Sequence, residues 1–342
     1  MSLYSYWGKA RKTPQGTWVS HLLPYHCLDV AAAADAWWSI DAPLRQAMSR
    51  ACDADEPRLK AWLLFFVALH DLGKCDVRFQ IQPKVRELGL ALNPGFIDAD
   101  VGAGYDHGQR GYAAFIGDHG RNACDWMKIV ASHHGRPHSD ADWVRPTASP
   151  KVIQSDEATR RDWIEFLSGL FLRPAGVDLV AMPPPPAHLG GFCCVCDWIG
   201  SNEDFLPYET GTIDLTEYFL SRRANARRAL KESGLWRAAC ATGGMSYLFP
   251  KLRPRGVQGL VDQWPLRPGL TLIEAPTGSG KTEAALAYAS RLLAASLADG
   301  VIFALPTQAT ANAMLDRLEA VAPCLFEGGA NIVLAHGRAR YT

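Results

Sequence analysis

The chain has 342 residues, enough for two domains of ordinary size, and its lysines plus arginines equal its aspartates plus glutamates at 35 each. Net charge therefore gives no argument for a nucleic-acid partner, which would have to be bound by local patches or by metals. The longest apolar run, residues 61–69, is far shorter than the roughly 20 residues of a membrane span, so no transmembrane segment is expected.

The first residues, MSLYSYWGKARK, contain charged and polar side chains and no apolar core of a signal peptide. The nine cysteines are odd in number and irregularly spaced, so they predict no disulfide framework. The CCVC segment, residues 193–196, lacks the paired CxxC spacing of structural zinc and is expected to pack on a buried helix. We therefore expect a cytoplasmic protein with reduced thiols.

From residue 22 to about residue 235 the pattern is helical. Three segments are long and apolar on at least one face: HCLDVAAAADAWW (26–38), RLKAWLLFFVALHDLG (58–73) and DWIEFLSGLFL (162–172). The second is expected to end at Gly73, because glycine commonly follows the last turn of a helix. We therefore predict a mainly α-helical first domain, residues 1–240.

A charged helix is predicted over residues 214–233. It carries the cations Arg222, Arg223, Arg227, Arg228 and Lys231. Their spacing of about one turn places several on one side, where they could line a DNA path, and a solvated linker helix is an equally good interpretation.

The second part of the chain changes character. A short apolar strand, residues 270–274, is followed by a glycine-rich turn, a helix (282–298) and a second strand, VIFALP (301–306). Strand, helix and strand in that order form a βαβ unit, which requires a parallel sheet. Residues 241–342 are therefore predicted to be an α/β domain.

Several histidines and aspartates suggest one metal site. His70 and Asp71 are adjacent at the end of an apolar helix, where buried polar groups are costly unless they are hydrogen bonded or bind a metal. An HD dipeptide alone is more often structural, whereas HD with SHHG (132–135) and Asp197 in CDWIGS is far more specific. Imidazoles mixed with carboxylates suit manganese, iron, cobalt, nickel or zinc better than magnesium.

These motifs resemble the HD-nuclease motifs of the CRISPR-associated helicase-nuclease of type I systems, in its subtype E form. The segments that carry the resemblance are LLPYHCLDVA around His26, HDLGK (70–74), DHGQRG around His107, SHHG (132–135) and CDWIGS around Asp197. The similarity extends over nearly the whole chain. It implies a helical HD domain that degrades single-stranded DNA and binds two divalent metal ions, either Mn, Ni, Co or Fe, or Mg.

The resemblance also implies two sets of metal ligands that share Asp71. The first set is His26, His70, Asp71 and Asp197. The second set is Asp71, His107, His133 and His134. The implied catalytic residues are His70, Asp71 and Lys74, with Lys74 beside the scissile phosphate. The other histidines match no motif and are expected to be surface or structural: His21, His119, His138, His188 and His336.

The most specific single motif is APTGSGKT (275–282), between an apolar strand and a helix, which is the context of a phosphate-binding P-loop. The predicted nucleotide-binding residues are Gln258, Gly278, Ser279, Gly280, Lys281 and Thr282. Lys281 would neutralise phosphates at the helix N-terminus, and Thr282 would bind Mg²⁺.

With Ala275 in place of the first glycine, the loop resembles that of superfamily 2 helicases. Gln258 resembles their adenine-reading glutamine, although an exposed loop glutamine is almost as good an interpretation. Residues 304–315 resemble their motif Ia, with Thr307 and Gln308 as candidate DNA contacts. Residues 241–342 are therefore expected to be the first part of a RecA-like helicase domain, with ATP and Mg as implied cofactors.

The leading hypothesis is a metal-dependent single-stranded DNA nuclease of CRISPR interference, an antiviral defence. The chain ends before a DExH-type box, so its partial motor is expected to be inactive alone. The resemblance implies a Cascade-type RNA-guided surveillance complex as partner, and a monomer is expected. Two alternatives stay open: an HD phosphohydrolase acting on nucleotides, and a non-catalytic module that docks on such a complex.

Overall fold

The computed structural model describes residues 2–97, 99, 105–119, 124–135, 148–235, 239–327 and 330–335. The chain divides into two compact units, Met1–Leu230 and Lys231–Thr342. The division falls between residues 230 and 231, in the last turn of the charged helix, whereas the sequence predicts a domain boundary at residue 240. Within the described ranges, no helix combines the length and hydropathy needed to cross a bilayer.

The first unit begins with an antiparallel hairpin and continues as a series of helices. The strands are β1 (Trp7–Lys12) and β2 (Trp18–Leu22). The α-helices are α1 (Leu23–Ile40), α2 (Ala42–Cys52), α3 (Glu56–Ala68), α4 (Val77–Gln80), α5 (Arg86–Leu92), α6 (His107–His119), α7 (Cys124–Ala131), α8 (Pro150–Leu167), α9 (Leu189–Gly200) and α10 (Leu215–Glu232). Short 3₁₀ turns lie at Leu3–Ser5, Leu72–Lys74, Pro94–Phe96 and Arg173–Ala175, and a π-helical turn at Ser168–Leu172.

Helix α1 is the interior helix of the first unit. Residues 23–36 of this helix are all buried, which is typical of a helix inside a core, and its alanines at positions 31–34 have no exposed surface. These small side chains allow α3 and α9 to pack closely against it. Residues 61–69, the longest apolar run of the sequence, are also all buried. The two most apolar segments therefore form the core on which the polar site is built.

Helix α3 ends at Ala68, earlier than predicted. His70 and Asp71 lie in the turn between α3 and the 3₁₀ turn that starts at Leu72. Gly73 is not among the glycines with positive φ. Instead it lies against α6, where a Cβ atom would be 1.9 Å from the carbonyl oxygen of His107 and 2.6 Å from the backbone nitrogen of Gly111. Close approach of two backbones, and not helix termination, therefore requires this glycine.

The charged helix α10 is part of the first unit's core. It buries Leu215, Tyr218, Phe219, Ala226, Ala229 and Leu230. Arg222 donates from Nε to Asp29 Oδ1 on α1 at 3.0 Å, and Arg223 forms an ion pair with Asp35 on the same helix. The interpretation of this segment as a solvated linker is therefore wrong, and two of its arginines are engaged in packing.

The second unit contains α11 (Met245–Leu248), a 3₁₀ helix (Gly256–Gln263), α12 (Lys281–Ala294) and α13 (Gln308–Leu325). Its predicted helix is present as α12. The predicted strands at residues 270–274 and 301–306 are wrong, because within the described residues neither segment is hydrogen bonded as a strand. A strand requires a paired neighbour and cover for its apolar face, and here Leu270 is 98% and Ile302 95% exposed. The molecule is mainly helical, and the assignment of the second unit to a RecA-like domain stays a prediction.

Candidate metal centre and nucleotide loop

The seven side chains predicted as metal ligands lie together in the first unit. They come from five places: His26 from α1, His70 and Asp71 from the turn after α3, His107 from the start of α6, His133 and His134 from the turn after α7, and Asp197 from α9. Packing of α1 against α3 and α9, and of α6 against α7 and the Leu72–Lys74 turn, brings these segments together.

Asp71 is the centre of the cluster. Its Oδ2 atom lies 3.1 Å from His26 Nε2 and 3.3 Å from His70 Nε2. Its Oδ1 atom lies 3.2 Å from His107 Nε2 and 3.7 Å from His133 Nε2. The carboxylate therefore stands between two sets of imidazoles, one at each oxygen.

The two sets differ in exposure. In the inner set, Asp197 Oδ1 lies 3.4 Å from His26 Nε2 and 3.8 Å from His70 Nε2, and all three residues are buried. In the outer set, His134 Nε2 lies 3.2 Å from His107 Nε2, and His134 is exposed. The candidate ligand atoms of each set, with His133 in the outer one, lie within 4.8 Å of one another. The histidines of the inner set are thus more deeply buried than His107 and His134 of the outer set.

Backbone carbonyls orient two of the rings. Nδ1 of His70 lies 2.8 Å from the Val67 carbonyl oxygen, and Nδ1 of His133 lies 2.9 Å from that of Val130. A carbonyl only accepts, so each Nδ1 carries a proton, and Nε2 is the nitrogen of each ring that faces Asp71 and could bind a metal. Fixing the tautomer in this way is what supporting groups do for metal-bound histidines.

Several buried atoms of the cluster lack hydrogen bonds of good geometry within the described part of the chain. They are both ring nitrogens of His26, Nε2 of His70, Nε2 of His133 and Oδ1 of Asp71, whose Oδ2 atom is paired with the Lys74 ammonium. Leaving a buried polar atom unsatisfied costs about 1–3 kcal/mol. Imidazole lone pairs and carboxylate oxygens cannot satisfy each other, but both can bind the same cation. The donor set therefore fits divalent metal ions.

The protonation states also fit metal ligation. Burial, with Lys9 second, lowers the pKa of His26 well below its ordinary value, and burial beside His70 lowers that of His133 to about 3. Burial alone would raise the pKa of Asp71, but the ammonium of Lys74 contributes most to holding it well below the ordinary value. At neutral pH, His26 and His133 are therefore uncharged and Asp71 is ionised, as metal binding requires.

Lys74 lies beneath the cluster and is buried. Its Nζ atom is 2.6 Å from Asp71 Oδ2 and donates to the Gly8 carbonyl oxygen at 3.1 Å. The predicted phosphate contact would therefore require this ion pair to open.

Two neighbours of Asp197 were not identified from the sequence. Ser201 donates from Oγ to Asp197 Oδ1 at 2.9 Å, and the Lys9 ammonium lies 3.5 Å from the same oxygen. Ser201 follows Asp197 by four residues, a spacing that CDWIGS makes visible. Lys9 is 188 positions away in β1, and no local pattern indicates it.

The remaining histidines are consistent with surface or structural roles where they are described. His21 is buried with Nε2 2.9 Å from Asp29 Oδ2, while His119 and His188 are exposed. His138 and His336 lie outside the described residues. Cys193 and Cys196 of CCVC are buried as free thiols, as predicted.

In the second unit, residues 275–280 form a turn that leads into α12 at Lys281. Gly278 and Gly280 have φ values of 79° and 83°, a region that favours glycine. The Lys281 ammonium donates to the carbonyl oxygens of Ala275 at 2.5 Å and Pro276 at 3.1 Å. Gln258 is buried and donates to the Gly280 carbonyl oxygen at 3.4 Å, so its interpretation as an exposed loop glutamine is wrong.

The other residues predicted to contact nucleotide or DNA lie at the N-termini of α12 and α13. Ser279 lies in the turn before α12, and Thr282 is the second residue of that helix. Thr307 caps α13, its hydroxyl accepting from the Thr310 backbone at 3.2 Å, and Gln308 is the first residue of α13. Thr307 and Gln308 are exposed.

Known proteins resemble this chain in sequence and structure. The family model "Cas3, HD domain" matches residues 7–206. The CRISPR-associated endonuclease/helicase Cas3 of Escherichia coli (strain K12) is 42% identical, over 98% of this chain and 42% of that protein. The protein of the same name from Thermus thermophilus is 30% identical, over 93% of this chain and 36% of that protein.

Solved structures of Cas3 proteins are also similar to this chain. T. fusca Cas3 with AMPPNP has a TM-score of 0.77 at 25% identity, covering 98% of this chain and 39% of that one. A chain of a CRISPR RNA-guided surveillance complex, pre-nicking, has a TM-score of 0.64 at 25% identity, covering 92% and 38%. The chain thus spans less than half the length of these relatives. Its matched residues 7–206 include all seven side chains of the cluster, and the chain belongs to the Cas3 HD-domain family.

Proposed function

We propose that this chain is a divalent-metal-dependent nuclease that cuts single-stranded DNA in CRISPR interference. The observation that carries the proposal is the pair of ligand sets joined by one carboxylate, Asp71, in a partly open cluster. The relatives named endonuclease/helicase Cas3 agree with it.

We assign two cations to the cluster. One would be held by His26, His70, Asp71 and Asp197. The other would be held by Asp71, His107, His133 and His134. When bound, paired divalent cations polarise a phosphodiester and activate water near neutral pH.

The chain's own residues supply position and charge. The exposed ring of His134 and the partly exposed ring of His107 mark the side from which a DNA backbone would approach. The inner histidines, His26 and His70, are fully buried, so their ring nitrogens are held among protein groups. Lys74 balances the charge of the Asp71 carboxylate, and the Val67 carbonyl orients His70 so that its Nε2 atom faces that carboxylate.

We further propose that the second unit binds ATP with Mg²⁺ and belongs to a helicase motor. Gln258, Gly278, Ser279, Gly280, Lys281 and Thr282 would form the nucleotide site. The hydrogen bond between Gln258 and Gly280 supports this, because it joins the candidate adenine-reading residue to the phosphate loop. Thr307 and Gln308 are proposed to contact single-stranded DNA.

We also propose that the protein works in the cytoplasm as a monomer with a Cascade-type complex. The similarity to a chain within a CRISPR RNA-guided surveillance complex supports this partner.

The test is incubation of the metal-free protein with circular single-stranded DNA, and separately with deoxynucleoside triphosphates, in the presence of Mn²⁺ or Ni²⁺. We expect the circles to be cut, the reaction to stop with a chelator, and the triphosphates to stay intact. Hydrolysed triphosphates with intact circles would instead favour a nucleotide phosphohydrolase. Absence of both reactions in a protein that still binds a surveillance complex would favour a docking module.

A further inference from the structure

Lys9 approaches the metal cluster from the hairpin. Its ammonium is 3.5 Å from Asp197 Oδ1, and its side chain is 27% exposed. Lys74 also lies at the cluster, where it is buried and held by both Asp71 and the Gly8 carbonyl oxygen. Of these two cations, Lys9 is therefore the one that solvent, and hence a substrate, can reach.

An irregularity in the hairpin places Lys9 there. Trp7 pairs with Leu22 and Lys9 with His21, so β1 has one extra residue, Gly8, opposite a single step of β2. Such bulges redirect side chains and are common beside active sites. A Cβ at Gly8 would be 2.9 Å from His26 Cβ and 3.0 Å from Leu23 Cα, so glycine also permits β1 to lie against α1.

The pairing of Lys9 with Asp197 is incomplete. An ammonium has three donors, and 3.5 Å is the limit of a hydrogen bond. Asp197 Oδ1 already accepts from Ser201 and faces His26 and His70. Lys9 therefore keeps donors for a further acceptor that arrives from solvent beside the proposed inner cation.

We propose that Lys9 binds a phosphate of the single-stranded DNA substrate next to the cleaved bond. This inference rests on the proposed nuclease function. Lys9 is then a substrate-binding residue whose position beside the cluster depends on the β1 bulge. Its positive charge attracts the DNA backbone in addition to the proposed metal ions.

The test compares Lys9→Met, Lys9→Arg and the control Lys12→Met. Lys12 is on the opposite face of β1, exposed, with its ammonium 5.0 Å from the Trp18 ring centroid. Each Mn²⁺-loaded variant is titrated with a cleavage-resistant phosphorothioate oligothymidine over a range of salt concentrations. Mn²⁺ affinity is measured without DNA, and KM and kcat with an ordinary oligothymidine.

For Lys9→Met we expect the slope of log affinity against log salt to shrink by about 0.7, the value of one phosphate contact on a single strand. KM should rise about tenfold, since charged hydrogen bonds are strong, with unchanged Mn²⁺ stoichiometry. Lys9→Arg should keep the wild-type slope, and so should Lys12→Met. If Lys9→Met does not fold, Lys9→Gln is judged by the same slope.

An unchanged slope in Lys9→Met, with wild-type protein that binds Mn²⁺ and cuts DNA, would overturn the role of Lys9 and leave the nuclease proposal standing. The same holds if Lys9→Met binds Mn²⁺ more tightly at an unchanged slope, because Lys9 would then be only a counterion of Asp197. Wild-type protein that neither binds Mn²⁺ nor cuts DNA would overturn both proposals.

Discussion

The two units support their candidate sites in different ways. In the first, six side chains from five places surround Asp71, and α1, α3 and α9 pack together in the core of that unit. In the second, the nucleotide loop is one continuous segment held by its own carbonyls and two glycines, and the neighbouring residue Leu270 is almost fully exposed. A site assembled from distant segments depends on the packing of a whole unit, whereas a loop site depends mainly on local backbone.

The substitution Asp71→Asn should cause the largest loss of activity at the first site. It keeps the shape of the side chain but removes the negative charge shared by both ligand sets. We expect the cleavage rate on circular single-stranded DNA to fall on the order of a thousandfold, because the metal-organising anion is lost. Bound Mn²⁺, measured by elemental mass spectrometry, should fall with it.

The matched control is Asp29→Asn. Asp29 is also buried and charge-paired, with His21 and Arg222, but lies outside the cluster. The Asp29→Asn variant should be less stable than the wild type but should bind the same amount of Mn²⁺. If Asp71→Asn retains both its metal and its cleavage rate, the bridging role of Asp71 is wrong.

Metal binding should stabilise the first unit selectively. At a hundredfold excess over its dissociation constant, Mn²⁺ should raise the free energy of unfolding by about 3 kcal/mol per site. Hydrogen exchange should then slow in α1, α3 and α9 and stay unchanged in α12. Thermal denaturation and exchange mass spectrometry measure the two effects. If Mn²⁺ slowed hydrogen exchange in α12 as much as in α1, α3 and α9, its stabilising effect would not be specific to the first unit.

A buried acid gives the first unit a pH dependence of its own. Asp156 on α8 accepts from the Tyr6 hydroxyl at 2.7 Å and from the Val77 N–H at 2.9 Å. Burial, followed by the charge of Asp76, raises its pKa to about 7. The folded state therefore binds this proton more tightly than the unfolded chain, and the resulting stability is complete below about pH 4 and lost as pH rises to about 7.

Asp156→Asn should remove this loss. The difference in unfolding free energy between wild type and variant should change by up to about 1.4 kcal/mol per pH unit in that window. Urea unfolding between pH 4 and 8 measures it, with the exposed Asp204→Asn as control. Parallel curves for wild type and Asp156→Asn would show that Asp156 has an ordinary pKa.

The smallest expected effect is on the second unit. Lys281→Ala should weaken binding of a fluorescent ATP analogue about tenfold, the loss of one charge-assisted contact. Its partners are backbone carbonyls in an accessible loop, so stability should change by less than about 0.5 kcal/mol. DNA cleavage and bound Mn²⁺ should be unchanged, as in the exposed control Lys251→Ala. A changed cleavage rate would show that the two sites are coupled.

Long apolar segments predicted α1 and α3, whereas α10 was predicted as a charged helix and α12 as the helix after the glycine-rich turn. The sequence pattern could not predict the end of α3, because Gly73 is selected by contact with α6 and not by its own dihedral angles. The hairpin was missed, since WGKARK shows no clear alternation. The predicted strands of the second unit failed for a related reason: pairing depends on neighbours, which a local pattern does not specify.

The site could be proposed from short motifs because His70 and Asp71 are adjacent and His133 and His134 are adjacent. The sequence could not show that Asp71 presents one oxygen to each histidine set, since this follows from the turn after α3. Nor could it show Lys9, whose position depends on a bulge in β1.

The contact between Gly73 and α6 has a consequence for the spacing of the two histidine sets. Residue 73 has only hydrogen on its α-carbon toward the His107 carbonyl, and Gly111 faces it with only hydrogen as well, its own Cβ position being 2.7 Å from the Gly73 nitrogen. A methyl group at either position would push α6 outward and carry His107 away from Asp71, while His26 and Asp197, on other helices, would stay in place. The distance between His107 and Asp71 therefore depends on two glycines, neither of which is a candidate metal ligand.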